Sequence, residues 1–137
     1  MDEGWLGDDY LILFAASELR AASERYTISD WLPGYEVVGL RAWDDLILRD
    51  AGFRTYSIPT VPLDLQYLEP FAVPKCGTIL EFDQRFAGKI KWYVHPLVFG
   101  GEVTDENTTW VDHPTHAGLV GWWNKLYRSI KPQVWPP

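Results

Sequence analysis

The sequence has little cysteine, little basic charge and no long apolar run, and each shortage excludes a class of protein. Cys76 is the only cysteine among 137 residues, which excludes an internal disulfide framework. Twelve basic against nineteen acidic residues give a net charge of −7, which argues against nucleic acid or an anionic membrane as the partner. The apolar runs are too short to span a bilayer, and the acidic start MDEGWLGDDY lacks the basic region of a signal peptide. We therefore expect a cytoplasmic protein.

The rest of the composition describes a folded domain with an unevenly charged surface. Apolar residues make up 47% of the chain, and eight of its residues are tryptophan, which is enough for a substantial core. We expect one domain over residues 1–137. Residues 1–74 carry thirteen acidic and five basic side chains, whereas residues 75–137 carry six and seven. The acidic half either keeps the protein soluble or attracts a basic partner protein.

Short apolar runs separated by turn residues dominate the first half. Helix-forming residues predict a helix at Ala15–Tyr26. The apolar runs predict four strands: Asp9–Phe14, Tyr35–Leu40, Asp45–Asp50 and Phe53–Ile58. The close spacing of the last three predicts an antiparallel meander. Four prolines between residues 59 and 74 exclude a long helix or a central strand, so we expect an extended segment packed over a sheet edge.

The second half contains two predicted helices and one predicted strand. Apolar residues at helical spacing predict a helix over Gly77–Gly88, and IKWYVHPLVFGG predicts a strand over Ile90–Gly101. After a polar loop, a last helix is capped by Asp112 or His113 and ended by Pro132. Its apolar residues predict an amphipathic C-terminal helix. One stripe contains Leu119, Trp122 or Trp123, Leu126 and Ile130, and Val120, Trp123 and Tyr127 widen it. The fold class is therefore α+β, with a central antiparallel sheet and packed helices.

The first half also contains an ordered series of motifs. A glycine–acid turn precedes the strand YLILF, a helix contains SEL, an LPG loop leads into a strand ending in glycine, and an extended SIPTVPLD segment follows. In order and spacing, residues 1–74 resemble the later part of SMI1/KNR4-like domains, the SUKH superfamily. The matching positions are Gly4, Gly7, Asp8, Tyr10, Leu11, Leu13, Glu18, Leu19, Leu32, Pro33, Gly34, Gly39, Ile58, Pro59, Pro62, Leu63 and Asp64. The family's opening helices are absent here, and GLRAWDD (Gly39–Asp45) stands where a glycine-rich acidic link is common.

The resemblance implies function by binding and not by catalysis. Bacterial members of the superfamily are largely immunity proteins, which neutralise partner toxins, often nucleases, without a catalytic centre or cofactor. It implies a SUKH-like portion at residues 1–88 and a C-terminal strand and helix extension at residues 89–137. We hypothesise that the extension packs in place of the missing opening helices. The expected partner is a basic protein such as a toxin or nuclease, bound by a monomer or a homodimer.

The candidate partner-binding residues are loop tryptophans and the acids beside them. Because tryptophan is enriched among interface hot spots, we select Asp30, Trp31, Trp43, Asp44 and Asp45. The alternative for each tryptophan is that its ring covers the end of the sheet. Adjacent acids on a strand point to opposite faces, so Asp44 and Asp45 are not expected to form an acid–base dyad. We expect them to be solvated turn acids.

An enzymatic alternative depends on four other residues. His95, His113, His116 and Cys76 are the only imidazole and thiol side chains, and His113 and His116 would share one face of a helical turn. They could serve a small metal-dependent or hydrolytic enzyme, although their spacing is not that of closely paired zinc ligands. The structural alternative is a helix start at which His113 or His116 donates to backbone or solvent. A third alternative is a structural or regulatory interaction module, such as a homodimer formed through exposed tryptophans.

Overall fold

The computed structural model describes residues 1–41, 44–75 and 77–134, with side chains up to residue 130. The strands in these residues are β1 (Asp2–Leu6), β2 (Asp9–Leu13), β3 (Glu36–Arg41), β4 (Asp45–Arg49), β5 (Thr55–Pro59), β6 (Glu69–Pro70), β7 (Ile90–Tyr93) and β8 (Thr108–Val111). The α-helices are α1 (Leu19–Arg25), α2 (Ile28–Trp31) and α3 (His113–Val134).

Strands β1 to β6 form one sheet in sequence order, and every neighbouring pair is antiparallel. The predicted meander is therefore confirmed, and with helices beside the sheet the fold class is α+β. The proline-rich segment contains the edge strand β6, and residues 71–74 follow it as irregular chain. An edge position suits Pro70, because proline has no N–H to donate to a further strand.

The predicted helix Ala15–Tyr26 is divided into shorter pieces. A 3-10 turn at Ala16–Glu18 precedes α1. Thr27, with a φ of 47° in the left-handed region, separates α1 from α2. No helix in the described part of the chain has the length and apolar character needed to cross a bilayer.

A β-bulge in β3 decides which of its side chains face the main core. The register of β3 against β4 shifts between Val37 and Gly39, so Val37 and Leu40 both join the larger core cluster. Val38 belongs to the smaller cluster instead. Glycine is needed at position 39, because a Cβ there would collide with the carbonyl oxygen of Ile12 on β2. The bulge thus directs two apolar side chains of β3 into the core to which all three helices contribute.

Strands β7 and β8 form a separate two-stranded antiparallel hairpin. Ile90 and Trp92 of β7 are buried and belong to the larger core cluster. The predicted strand Ile90–Gly101 is shorter than expected, because Pro96 opens a 3-10 turn at Leu97–Phe99. The predicted polar loop after it contains β8, which the sequence analysis missed.

The helix predicted over Gly77–Gly88 is wrong. Only Gln84–Phe86 forms a helical turn, of the 3-10 type, and Ile79 is 86% exposed. The backbone of Glu81 instead exchanges hydrogen bonds of 2.8 and 3.0 Å with Trp5 of β1. A helix would have taken these backbone groups for its own ladder. The segment is therefore irregular chain that joins β1 through an isolated bridge between Glu81 and Trp5.

Helix α3 begins as predicted, and it buries Val120 and Tyr127 of the predicted stripe together with polar side chains that the stripe did not include. Asp112 caps the helix, since its Oδ1 accepts a hydrogen bond of 2.8 Å from the Thr115 backbone N–H. The helix continues to Val134, so Pro132 does not end it. Trp122 is 60% exposed. The buried side chains are those of His116, Ala117, Val120, Asn124 and Tyr127, and two of these are polar.

Candidate functional site

Asp44 and Asp45, at the start of β4, line a cleft of about 470 Å³. Most of its lining comes from Pro59–Pro62, Tyr67, Tyr93 and Pro96–Val98. Asp44 and Asp45 are the charged members of this lining. The cleft therefore presents two carboxyl groups within a largely apolar surface, and we call it the Asp44–Asp45 cleft.

Asp44 and Asp45 face the same cleft, although adjacent strand residues alternate between faces. Asp44 precedes β4 and has a φ of 84°, in the left-handed region, so it belongs to the turn and strand alternation does not apply to it. Its side chain is only 12% exposed, and Asp45 is partly buried. The expectation of solvated turn acids is therefore wrong, because both carboxyl groups are largely withdrawn from water.

A chain of hydrogen bonds runs from Asp44 into the core. Asp44 Oδ1 accepts a hydrogen bond of 2.6 Å from the Thr60 hydroxyl and lies 2.6 Å from His116 Nε2. His116 Nδ1 lies 2.7 Å from the Tyr26 hydroxyl. When Asp44 is ionised, its carboxylate can only accept hydrogen bonds, so Nε2 is then the nitrogen that donates to it. The chain connects the β3–β4 turn to α3 and to the residue that follows α1.

Burial shifts the pKa values of Asp44 and Tyr26, the two ends of this row of hydrogen bonds. His116 has no exposed surface, and its ring contacts those of Tyr26 and Trp92 edge-on, with centroids 5.6 Å apart in each case. Burial raises the pKa of Asp44, whereas its hydrogen bonds with His116 and Thr60 act in the opposite direction. Burial also raises the pKa of Tyr26, and the negative charge of Asp44 adds to this. The Tyr26 hydroxyl therefore keeps its proton and helps to hold the imidazole in one orientation.

Asp45 is also desolvated, and its one hydrogen bond among the described residues is longer than those that Asp44 receives. Burial, followed by the charge of Asp44, raises the pKa of Asp45 to about 6. The Ser57 hydroxyl donates a hydrogen bond of 3.3 Å to Asp45 Oδ2, and the positive charge of Arg41 also lowers the pKa. Since these groups do not restore the ordinary pKa, a further cation in the cleft would stabilise the ionised carboxylate.

Asn124 of α3 holds one part of the cleft lining in place. Its Oδ1 accepts a hydrogen bond of 2.7 Å from the Leu63 backbone N–H, and its Nδ2 donates to the carbonyl oxygens of Thr60 at 2.7 Å and Val120 at 2.8 Å. The side chain is fully buried. A buried amide that satisfies three backbone groups fixes the path of the chain around it. The conformation of residues 60–63 therefore depends on α3.

The structure places Asp30 and Trp31 in a different part of the surface. Asp30 is exposed on α2, and Trp31 lines a second cleft, of about 320 Å³, together with Asp64 and Arg128. Arg128 donates a hydrogen bond of 3.1 Å to the Trp31 carbonyl oxygen. Among the described residues, the buried indole N–H of Trp31 has no hydrogen-bond partner.

Trp43 lies outside the described residues. The predicted partner-binding residues that the structure describes therefore lie in two places and not in one site. Asp44 and Asp45 share one cleft, and the Asp30–Trp31 segment borders another.

The residues of the enzymatic alternative have separate environments. His116 is hydrogen-bonded to Asp44 and Tyr26 in the core. His95 Nε2 lies 2.6 Å from the Phe99 carbonyl oxygen. His113 is partly buried at the start of α3, and Cys76 lies outside the described residues. In the part of the chain that is described, no group of three or more His, Cys, Asp or Glu side chains could hold a metal ion. The alternative in which His113 or His116 donates to backbone or solvent does not apply to His116, which bonds to Asp44 and Tyr26.

The sequence analysis missed the residues that support the cleft. Tyr26, Thr60 and Asn124 were not selected, and His116 was selected only as a possible metal ligand. His116 and Asp44 are 72 positions apart in the chain, and no local pattern connects them. One signal was present, because His116, Val120 and Asn124 recur at four-residue spacing on α3. A polar residue at both ends of such a row indicates buried polar partners elsewhere in the fold.

Comparisons with protein-family models, with curated proteins and with solved structures give no match to this chain. The function therefore has to follow from the chemistry of the cleft and of the surface around it.

Proposed function

We propose that the chain is a non-catalytic binding protein of the immunity type, which neutralises a basic toxin docked at the Asp44–Asp45 cleft. The observation that carries the proposal is that two largely buried carboxyl groups line one open, mostly apolar cleft. Such a protein acts in the cytoplasm and needs no cofactor. Its specificity lies in the shape and charge of the cleft.

The energetics of the two carboxyl groups support this function. Burial raises the pKa of Asp44 and brings that of Asp45 to about 6. A desolvated carboxylate without full compensation is an unfavourable state in the free protein. A cationic side chain of a partner lowers that energy when it enters the cleft. The free-energy cost of desolvating the two carboxyl groups is largely met when the protein folds, so it is not added again on binding.

The distribution of charge supports a basic protein as partner. The thirteen acids and five bases of residues 1–74 include both cleft aspartates. A surface of one sign attracts an oppositely charged protein over a distance of about 10 Å at moderate salt. It therefore raises the rate of encounter, and the cleft provides the short-range contacts.

The fold-level part of the proposal concerns the SUKH resemblance. In this proposal the meander is a SUKH-like sheet, and α3 is an amphipathic helix that packs in place of the family's opening helices. It is supported by the depth at which α3 is buried, because His116, Val120 and Asn124 have no exposed surface. The whole of residues 1–137 then acts as one domain.

The experiment compares capture of partners from the source cells by the full-length wild-type protein and by an Asp45→Asn variant. We expect the wild-type protein to retain a basic protein, and the variant to retain far less of it. Capture should also weaken as salt increases, because the attraction is between charges. Asp8→Asn is the matched control, since Asp8 is an exposed acid at another turn of the same sheet.

The outcomes separate the proposal from its alternatives. Equal capture by the wild-type protein and by Asp45→Asn would show that the cleft is not the docking site. Loss of capture in Asp8→Asn as well would show that overall charge, and not the cleft, recruits the partner. Expression of the captured protein alone should be toxic to cells. Expression of it together with the wild-type protein should be harmless, as an immunity function requires.

A further inference from the structure

The cleft contains carboxylate oxygens to which no residue in the described part of the chain donates a hydrogen bond. Both hydrogen bonds described for the Asp44 carboxyl end on Oδ1. The hydrogen bond from Ser57 to Asp45 ends on Oδ2. Among the described residues, Asp44 Oδ2 and Asp45 Oδ1 therefore receive no hydrogen bond. Because each carboxylate oxygen accepts two hydrogen bonds, this pair of oxygens is available to a donor that enters the cleft.

The groups behind these oxygens are rigid and buried. Thr60 and His116 have no exposed surface, and Ser57 is 3% exposed. They hold the carboxyl groups from the protein side with hydroxyl and imidazole donors. Fixed acceptors of this kind bind a ligand without losing further side-chain freedom. The site is thus built in advance of binding, unlike a cluster of acids on a mobile surface.

The rest of the lining suits the aliphatic part of a long side chain. Tyr67 and Leu97 are exposed at the cleft, and Tyr93 is partly buried beside them. Aromatic rings attract a cation through their faces, and apolar side chains pack against methylene groups. A ligand with a charged planar head and an apolar stem matches both parts of the cleft.

We infer that the Asp44–Asp45 cleft is a specific recognition site for one arginine side chain presented by a protein partner. The guanidinium donates to Asp44 Oδ2 and Asp45 Oδ1, and the aliphatic stem lies against Tyr67 and Leu97. Arginine fits better than lysine, because its planar head offers several N–H donors in a fixed fork, whereas the ammonium is a single, strongly hydrated point charge. The inference rests on the proposed function for the identity of the partner as a protein.

A nuclear magnetic resonance titration of the full-length protein tests the inference. N-acetyl-arginine amide, N-acetyl-lysine amide and N-acetyl-citrulline amide are added in turn, and backbone and side-chain shifts are followed. We expect the arginine compound to shift resonances of the cleft residues, with a dissociation constant on the order of 1 mM for so small a ligand. The lysine compound should bind several-fold more weakly. Citrulline has nearly the same shape but no charge, and it should cause no saturable shift.

Variants of the chain provide the second arm of the test. Asp45→Asn should abolish the shifts caused by the arginine compound, and Leu97→Ala should weaken its binding several-fold. Asp8→Asn should leave the titration unchanged. The inference is overturned if citrulline binds as well as arginine, if the shifts lie outside the cleft, or if they persist in Asp45→Asn.

The two proposals fail in different ways. If partner capture depends on Asp45 but N-acetyl-arginine amide causes no shift in the cleft, the binding function stands and arginine recognition is wrong. If the arginine compound binds in the cleft but no protein capture depends on Asp45, the cleft chemistry stands and the immunity function is wrong.

Discussion

Two Asp-Asp pairs stand at two hairpin turns of the same sheet, and their environments are opposite. Asp8 is exposed at the β1–β2 turn, and Asp9 forms an ion pair of 3.4 Å with Arg41, in which both side chains are about one-third exposed. At the β3–β4 turn, Asp44 is 12% exposed and bonded to a fully buried histidine. The local motif is the same in both places. The difference comes from α3, which contributes His116 to one turn and nothing described to the other.

The comparison shows that the chemistry of an acid pair is set by elements distant in sequence. Exposed acids and exposed ion pairs contribute little to stability. A desolvated pair changes its pKa and depends on its buried partners. The following predictions act on this difference, beginning with the one that removes its cause.

Deleting residues 114–137 should have the largest effect. The deletion removes His116, Val120 and Asn124 from the core, so the apolar surface that α3 covers becomes exposed and Asp44 loses its partner. We expect no cooperative thermal transition in the truncated chain, measured by circular dichroism. A cooperative melt close to that of the full chain would show that the sheet does not depend on α3.

His116→Ala should destabilise the protein by about 3 kcal/mol. The substitution leaves a cavity and removes the donor from a buried carboxyl group, which are two of the more costly single changes. His95→Ala is the matched control and should cost less than about 1 kcal/mol, because His95 is exposed. Chemical denaturation of both variants measures the difference. Equal losses in the two variants would mean that the buried chain is not a distinct source of stability.

Asp45→Asn should stabilise the folded protein by about 1 kcal/mol at pH 7, while it weakens partner binding. The raised pKa means that the folded state favours the protonated carboxyl group. The stability contributed by that protonation is complete below the unfolded pKa of about 4 and is lost as the pH rises through about 6. The amide avoids this loss, so the gain should disappear near pH 4.

The control for this prediction is the other acid pair. Asp8→Asn should change the free energy of unfolding by less than about 0.5 kcal/mol at either pH, because Asp8 is exposed. Denaturant titrations of the wild-type protein and of both variants at pH 4 and pH 7 measure the changes in the free energy of unfolding. A wild-type protein that is more stable than Asp45→Asn at pH 7 would contradict the assigned desolvation.

Arg41→Met should have the smallest effect, and its readout is the pKa of Asp45. Arg41 pairs with Asp9 and also lowers the pKa of Asp45 by its charge, so it links the two acid pairs. Removing it should raise the pKa of Asp45 by about half a unit above its value of about 6. Carbon-13 resonances of the carboxyl groups measure this directly. An unchanged titration of Asp45 would show that the two pairs are electrostatically independent.

The sequence predicted the parts of the fold that are specified locally. Strands β2 to β5 appear as short apolar runs between turns, and in a meander each run pairs with its neighbour, so their order and direction follow. The start of α3 was also predictable, because Asp112 is a side chain that caps helices. These features need no knowledge of what lies elsewhere in the chain.

The parts that failed depend on contacts between distant segments. The helical spacing of Ile79, Phe82 and Phe86 was overridden by backbone pairing between Glu81 and Trp5. Strand β1 was missed, because its acidic and glycine-containing sequence forms a strand only against β2 and Glu81. The shared cleft of Asp44 and Asp45 was missed for a similar reason. It depends on a positive φ at Asp44 and on an imidazole from α3, and neither can be read from the turn itself.

The hydrogen bonds of Asn124 connect the motion of α3 to the shape of both clefts. The Leu63 amide hydrogen is bonded to a side chain of α3 and not to a strand, so its exchange with solvent requires α3 to separate from residues 60–63. Residues 60–62 line one cleft, and Asp64 and Leu65 line the other. A single opening event of the helix would therefore loosen both clefts together. The shape that a partner encounters is maintained by the docking of α3, and the equilibrium between docked and separated α3 sets the fraction of molecules with unformed clefts.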